Sequence, residues 1–215
     1  MSGSGPARVL AVTGILLAAG GGCATGSAGP TRGASAPPSA TAPAAAVTEQ
    51  VAPARRARTV VVTEHPASVV LPSGRRVRVS PVGTTSAGLL AVPDDVEVAG
   101  WWRGGSRLGD PFGSILLAAH VDSRTQGLGP FAELLTVDPG TRVRLGSASL
   151  QQVFEVRSRR LVPQDSLVDD SWIFAATGSV RLTLVTCAPP YDASRGGYQS
   201  LAVITAVPLG PPEET

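Results

Sequence analysis

A scarce cysteine and a scarce histidine each close an apolar run in this sequence. Cys187 ends the run 179–187, and His120 ends the run 114–120, 67 positions earlier. The whole chain of 215 residues has only two cysteines and two histidines. A thiol becomes an effective nucleophile when an imidazole beside it can take up and return a proton. These two residues therefore predict a thiol nucleophile with an imidazole partner.

Both runs have the composition of β-strands, with apolar and β-branched residues throughout. Because side chains alternate along a strand, Thr186 points away from the face that carries Cys187 and is expected to support the structure. Cys187 is expected at the last strand position, where side chains from neighbouring loops can reach it. Pro189 and Pro190 follow, and they are expected to end the strand directly after the cysteine.

The first 23 residues predict export. Arg8 precedes an apolar run over 9–19, which has the length of a signal-peptide core and is short for a bilayer span. Glycines then lead into Cys23, a pattern that resembles a bacterial lipoprotein signal with Cys23 as the lipidated residue. An uncleaved membrane anchor and an ordinary secretory signal are the alternatives. In each case we expect the body of the protein at the outer face of the cytoplasmic membrane or in the cell-wall zone.

Export affects the interpretation of Cys187, and the second histidine, His65, has a separate interpretation. Oxidising compartments favour disulfides, but the only possible partner of Cys187 is Cys23, in or beside the signal. Cys187 is therefore either a small buried hydrophobe or a thiol with a chemical role. His65 lies next to Pro66 without a cysteine or aspartate around it, and we expect it to be a solvated loop histidine.

Composition limits the classes of partner. The formal net charge is +2, and all 18 basic residues are arginines scattered along the chain, so a nucleic-acid partner is not expected. Residues 24–58 are rich in Ala, Pro, Ser and Thr and predict a flexible tether. One folded domain is expected over 59–208, followed by a tail over 209–215. The sequence contains no cluster typical of metal ligands and no phosphate-binding glycine loop, so no metal or cofactor is expected.

Many short β-type segments separated by turns predict an all-β sandwich or closed barrel. Residues 69–71 and 77–79 flank a Pro-Ser-Gly turn, and 141–145 with 153–157 have the pattern of a hairpin. The apolar spacing over 131–135 predicts a short helix. The tryptophan pair 101–102 either plugs a barrel end or lines a groove.

Four motifs resemble those of one family. Residues 183–187 (Thr-Leu-Val-Thr-Cys) resemble the Thr-Leu-x-Thr-Cys motif of sortases, which are exported cysteine transpeptidases of bacteria. Residues 119–122 (Ala-His-Val-Asp) are similar to the sortase histidine motif. The stretches 98–102 (Val-Ala-Gly-Trp-Trp) and 130–134 (Pro-Phe-Ala-Glu-Leu) are similar to class F, actinobacterial, sortases. The resemblance extends over residues 66–208.

The resemblance implies an all-β fold, a closed barrel of about eight strands with one or two short helices. It implies that Cys187 attacks a sorting-signal peptide bond of a secreted protein and forms a thioacyl-enzyme. His120 then acts as general acid for the leaving amine and as general base for the incoming amine. The expected acceptor is an amine of the cell wall or of another protein, and no cofactor is implied.

The third site residue of sortases is an arginine after the cysteine, which stabilises the oxyanion or orients the substrate. Neither 198–200 nor the expected final strand 201–207 contains an arginine. Arg195 is the only arginine after Cys187, and it is interpreted either as the site arginine or as a solvated loop charge. Asp122 either orients His120 or pairs with a loop arginine.

Two alternatives to the transpeptidase differ in what happens at the thiol. A catalytically silent exported β-barrel lipoprotein would bind a peptide or a cell-wall component without forming an adduct. A cysteine hydrolase would use the same residues and release its acyl group to water.

Overall fold

The computed structural model describes residues 61–86, 88–164 and 171–215, and β-strands dominate it. The strands are β1 (Ser68–Val70), β2 (Arg76–Val82), β3 (Val98–Trp102), β4 (Ser114–Ala118), β5 (Asp122–Ser123), β6 (Gly127–Leu128), β7 (Arg142–Gly146), β8 (Leu150–Pro163), β9 (Arg181–Asp192), β10 (Gly197–Pro208) and β11 (Glu213–Glu214). The described 3₁₀ helices are Pro130–Leu135, Ser171–Phe174 and Ala193–Arg195. The expected signal and tether, together with residues 59 and 60, lie outside the described residues.

Eight strands form a closed barrel. Their order is β10-β9-β4-β3-β2-β1-β7-β8, and pairing of β8 with β10 closes the ring. Two of the contacts are parallel, β2 with β3 and β4 with β9, and the others are antiparallel. The predicted all-β barrel of about eight strands with short helices is confirmed. Among the described residues, no helix is long and apolar enough to cross a membrane.

The barrel interior is filled by aliphatic side chains and a few aromatic ones. On β9, Leu182, Leu184 and Ala188 point inward and are fully buried. Phe131 and Leu134, on the first 3₁₀ helix, pack against the same cluster. The spacing of apolar residues predicted that short helix, and it is confirmed as a 3₁₀ helix over Pro130–Leu135.

A second apolar cluster covers the outer face of β4, β9 and β10. It is made of buried residues from these strands, from β8 and from the helix Ser171–Phe174: Leu116, Ala118, Val162, Ile173, Val185, Leu201 and Val203. Partly buried hydrophobic side chains pack around it, including Trp102, Phe174 and Cys187. These strands are therefore apolar on both faces. A strand with one face in solvent would instead alternate between apolar and polar residues.

The expectation that two prolines end the cysteine strand is wrong. β9 continues past Cys187 to Asp192 and pairs with β10 on both sides of Pro189 and Pro190. The pairing passes from Ala188–Ser200 to Tyr191–Tyr198, so both prolines oppose a single residue of β10. Prolines are tolerated in a strand at such an irregularity, because no ladder hydrogen bond is required from them. Cys187 therefore lies within a strand and not at its end.

The turn between β7 and β8 is hydrogen-bonded to Glu64, in the segment before β1. Glu64 accepts hydrogen bonds from the Ser147 hydroxyl at 2.7 Å, from the Ser149 backbone N–H at 2.9 Å and from the Ser149 hydroxyl at 2.5 Å. These bonds, led by that of Ser147, lower the pKa of Glu64 to about 2. The backbone N–H of Thr215 donates to the Ser149 carbonyl of the same turn at 3.0 Å.

Other local expectations have clear outcomes. The hairpin over 141–157 is confirmed as β7 and β8, and the strand–turn–strand pattern over 69–79 as β1 and β2. The expected tail 209–215 contains one more short strand, β11, which pairs with β8.

Candidate active site

The parallel pairing of β4 with β9 brings the histidine and the cysteine together. Ala118 pairs with Val185, and because both strands run in the same direction, two further residues on each lead to His120 and Cys187. The backbone N–H of Ala119 still donates to the Val185 carbonyl, at 3.2 Å, so the two chains stay side by side beyond β4. The sequence-predicted pair is thus placed at one level of the barrel by strand register.

Thr186 fixes the residue that precedes the histidine. Its hydroxyl is buried and donates to the Ala119 carbonyl at 2.9 Å. Thr186 faces away from the thiol, as predicted, and this contact is how its hydroxyl supports the structure. Gly129 also approaches the histidine closely, because an added Cβ atom would lie 2.9 Å from the His120 carbonyl oxygen. The Gly129 backbone N–H donates to the Val121 carbonyl at 2.9 Å, so the residues on both sides of His120 in the sequence have hydrogen-bond partners.

His120 and Cys187 line one cavity of about 590 Å³. Its other chemically active side chains are Asp122, Arg124, Tyr191 and Tyr198. The two tyrosine rings meet edge to face, with centroids 5.1 Å apart. Among the described residues, no group of three or more His, Cys, Asp or Glu side chains could hold a metal ion.

Asp122 is engaged by Tyr198 across the cavity. The Tyr198 hydroxyl donates to Asp122 Oδ2 at 2.7 Å, and this bond, with burial second, raises the pKa of Tyr198 to about 12. The contact joins β5, which follows His120, to β10. Of the two roles open to Asp122 in the sequence, pairing with a loop arginine is not seen among the described residues.

Cys187 is a free, half-buried thiol. Burial raises its pKa, and the negative charge of Asp122 raises it further. The cavity therefore favours the protonated thiol, and a base is needed to take the proton when the sulfur attacks. His120 is the imidazole in the cavity that can do so.

Arg195 lies outside the cavity lining. It stands on the 3₁₀ helix Ala193–Arg195, which is capped by Asp192, and its side chain is exposed. The arginine that lines the cavity is Arg124, in the turn between β5 and β6. Arg124 is not among the predicted site residues because the family resemblance implies an arginine after the cysteine. The available signal was an arginine four residues after His120, in a turn that Gly127 closes with a positive φ of 77°.

The outer apolar cluster adjoins the thiol. Cys187 packs against this cluster, and the buried Leu201 is its partner across β9 and β10. Trp102 and Phe174 meet edge to face at 5.0 Å on the same surface. Of the tryptophan pair, Trp101 therefore belongs to the interior and Trp102 to the outer surface. His65 is exposed, and its ring lies 4.8 Å from the ring of Trp101.

Comparisons with known proteins identify the family and the fold. A family model described as Sortase domain matches residues 73–208. No curated protein matches the sequence. Sortase C-1 from Actinomyces oris is 23% identical with a TM-score of 0.51, and the match covers 67% of this chain and 73% of that one.

Two further solved structures have a similar fold. Sortase C2 of Group B Streptococcus Pilus Island 1 is 20% identical with a TM-score of 0.51, over 70% of this chain and 77% of its own. The SrtA sortase from Actinomyces oris is 19% identical with a TM-score of 0.50, over 72% and 85%. At these identities the likeness concerns the fold.

Proposed function

Since this chain belongs to the sortase family of cysteine transpeptidases, we propose that Cys187 and His120 perform its acyl transfer in the cavity they share. The observation that carries the proposal is the parallel register of β4 and β9, which sets the two residues level with each other beside Asp122. Sortases as a family act at the cell surface on proteins with sorting signals and on amine acceptors.

Cys187 and His120 together account for every bond and proton transfer in the reaction. Cys187 Sγ attacks the carbonyl carbon of the scissile peptide bond while its proton passes to His120. The C–N bond then breaks, and the His120 imidazolium returns the proton to the leaving amine, which leaves a thioester on Cys187. An incoming amine attacks the thioester, His120 takes the proton from that amine, and the thiol is released with a new peptide bond.

The edge of the outer apolar cluster is the proposed contact surface for a peptide substrate. The strand residues of the cluster are buried, and partly buried apolar side chains lie at its edge, among them Trp102, Phe174 and Cys187 itself. We propose that the apolar side chains of a sorting signal pack against this edge, and that the scissile carbonyl then meets the thiol. Arg195 is exposed and outside the described lining of the cavity, although the adjacent glycines 196–197 belong to it.

Two finer assignments rest on sequence motifs. The stretches 98–102 and 130–134 support class F membership, and the pattern ending at Cys23 supports a lipid or membrane anchor at the N-terminus. Such an anchor, with 24–58 as a tether, would hold the barrel at the outer face of the membrane. The direct test of anchoring is lipid labelling of the chain with and without Cys23→Ser.

Intact mass of the full-length chain carrying Cys23→Ser tests the function. The protein is incubated with peptides of the Leu-Pro-x-Thr-Gly type, with and without an added amine. We expect an acyl adduct on the parent, no adduct on Cys187→Ala, and a ligated peptide when amine is present. For His120→Ala, we expect adduct formation to slow by about 10²–10⁴-fold, the usual contribution of a general acid–base group.

The same experiment separates the alternatives. A folded parent that forms no adduct with a broad peptide set would favour the silent binding protein. An adduct that decays to free acid at the same rate with and without amine would favour the hydrolase.

A further inference from the structure

Among the described residues, one arginine lines the cavity, and it precedes Cys187 in the chain. Arg124 lies in the turn between β5 and β6, only four residues after His120, and lines the same cavity as Cys187. We propose that the Arg124 guanidinium binds the oxygen of the carbonyl group that reacts with Cys187. It would thus perform, from before the cysteine, the charge stabilisation that Arg195 was expected to supply. The proposal rests on the acyl transfer proposed above.

The turn that carries Arg124 is held on both sides. Before it, Asp122 accepts the hydrogen bond from the Tyr198 hydroxyl at 2.7 Å. After it, Gln126 Oε1 accepts from the backbone N–H of Val96 at 2.9 Å. The backbone of Arg124 is therefore tied to β10 and to the segment before β3, and the side chain extends from a fixed point.

The guanidinium of Arg124 is available. Among the described residues it forms no hydrogen bond and no ion pair, whereas Arg75 and Arg157 are paired with carboxylates at 2.5 and 3.1 Å. Asp122 is only two residues away, but it is occupied by Tyr198. A side chain with five N–H donors that faces a reactive cavity without a partner is suited to an anionic oxygen.

The reaction requires such a group. Attack of Cys187 on a carbonyl places negative charge on the carbonyl oxygen, and a donor aimed at that charge lowers the barrier. Asp122 contributes a negative charge to the same cavity, which opposes the developing oxyanion. Both Arg124 and Arg195 are exposed, and of the two only Arg124 belongs to the described cavity lining, where it carries a permanent positive charge.

Charge-selective alkylation tests the placement of Arg124 without any peptide. The full-length chain with Cys23→Ser is alkylated at Cys187 by anionic iodoacetate and by neutral iodoacetamide, and the ratio of the two rates is measured. Arg124→Ala should lower the ratio by about threefold, the effect of one unit charge roughly 7 Å away in water. Arg195→Ala is the matched control and should leave the ratio unchanged. An unchanged ratio in Arg124→Ala would overturn the proposal.

Single-turnover acylation by a Leu-Pro-x-Thr-Gly peptide tests the role. Arg124→Ala should slow adduct formation by about 100-fold or more, as loss of an oxyanion donor does. Arg124→Lys should recover part of the rate, and Arg195→Ala should stay close to the parent. Loss of the rate in Arg195→Ala but not in Arg124→Ala would overturn the proposal. If the parent itself forms no adduct, the proposed function fails, and the alkylation ratio still decides whether Arg124 faces the thiol.

Discussion

The two halves of the barrel differ in what their strands show to the outside. On β4, β9 and β10 the outward side chains are apolar and buried, as Val185 and Val203 illustrate. On β1, β2 and β7, on the far side of the ring, the outward face carries the exposed Arg76 and Arg144 on either side of Val70. β1 is four strands from β9 in either direction around the eight-stranded barrel.

This difference separates the strands whose outward side chains serve only the fold from the strands whose outward side chains also border the candidate site. The inward face of every strand must be apolar, because it fills the interior. An outward apolar face is not required for folding, and it is stable only where something covers it. Here the helix Ser171–Phe174 covers part of it, and the rest borders Cys187. The apolar exterior therefore lies on the half of the wall that carries the candidate site.

The largest expected difference between the two halves is in the stability of a matched pair of valine variants. Val203→Asp places a carboxyl group in the buried outer cluster without a partner, and we expect the free energy of unfolding to fall by about 3–5 kcal/mol. Val70→Asp places the same group between Arg76 and Arg144, where opposite charges offset the lost apolar contact. A change below about 1 kcal/mol is expected there. Urea unfolding of both variants measures the two values, and equal losses would contradict the comparison.

A smaller effect is expected from the buried Thr186 hydroxyl, in the half that carries the candidate site. Thr186→Val keeps the side-chain shape but leaves the Ala119 carbonyl without its hydrogen bond, at a cost of about 1–3 kcal/mol. Because this bond positions the residue before His120, acylation should slow as well. Ser68→Ala is the control on the opposite half, since its hydroxyl only accepts from exposed Arg76. The free energy of unfolding and the rate of acylation are measured for both variants. Equal losses in Thr186→Val and Ser68→Ala would show that the contact is not specific to the site.

The smallest expected effect is on the titration of the thiol. Asp122 raises the pKa of Cys187 because a negative charge disfavours the thiolate. Asp122→Asn removes that charge and keeps an acceptor for Tyr198, so the pH profile of alkylation by neutral iodoacetamide should move to lower pH. Burial, the larger cause, remains, so the midpoint should stay above the ordinary value for a cysteine. Asp138→Asn, at an exposed residue outside the cavity, should leave the profile where it is; movement to higher pH in Asp122→Asn would contradict the assignment.

Much of the fold could be predicted because its signals are local. The apolar runs, the hairpin of β7 and β8 and the 3₁₀ helix over Pro130–Leu135 depend on neighbouring residues. The continuation of β9 through Pro189 and Pro190 was missed because it depends on an irregular pairing, in which two residues of β9 oppose one of β10, and no local pattern reveals it.

The candidate site was predictable in its chemistry and not in its geometry. Residue types and motifs indicated Cys187 and His120, but their proximity depends on the parallel register of β4 with β9. The cation was expected after the cysteine, at Arg195, whereas the turn between β5 and β6 brings Arg124 to the cavity from before it. Which loop reaches a cavity is a property of the closed barrel and cannot be inferred from distance along the chain.

The turn between β7 and β8 has a mechanical consequence. Glu64 and the backbone of Thr215 are both bonded to Ser149, so two segments far apart in the sequence meet at this turn. Tension applied through the segment before Val61 is first borne by the Glu64 contacts with this turn and by the paired backbone of Leu108. The hydrogen bonds of β4 and β9 are loaded only after those contacts yield. A barrel pulled by its N-terminal segment would thus keep His120 and Cys187 aligned under force.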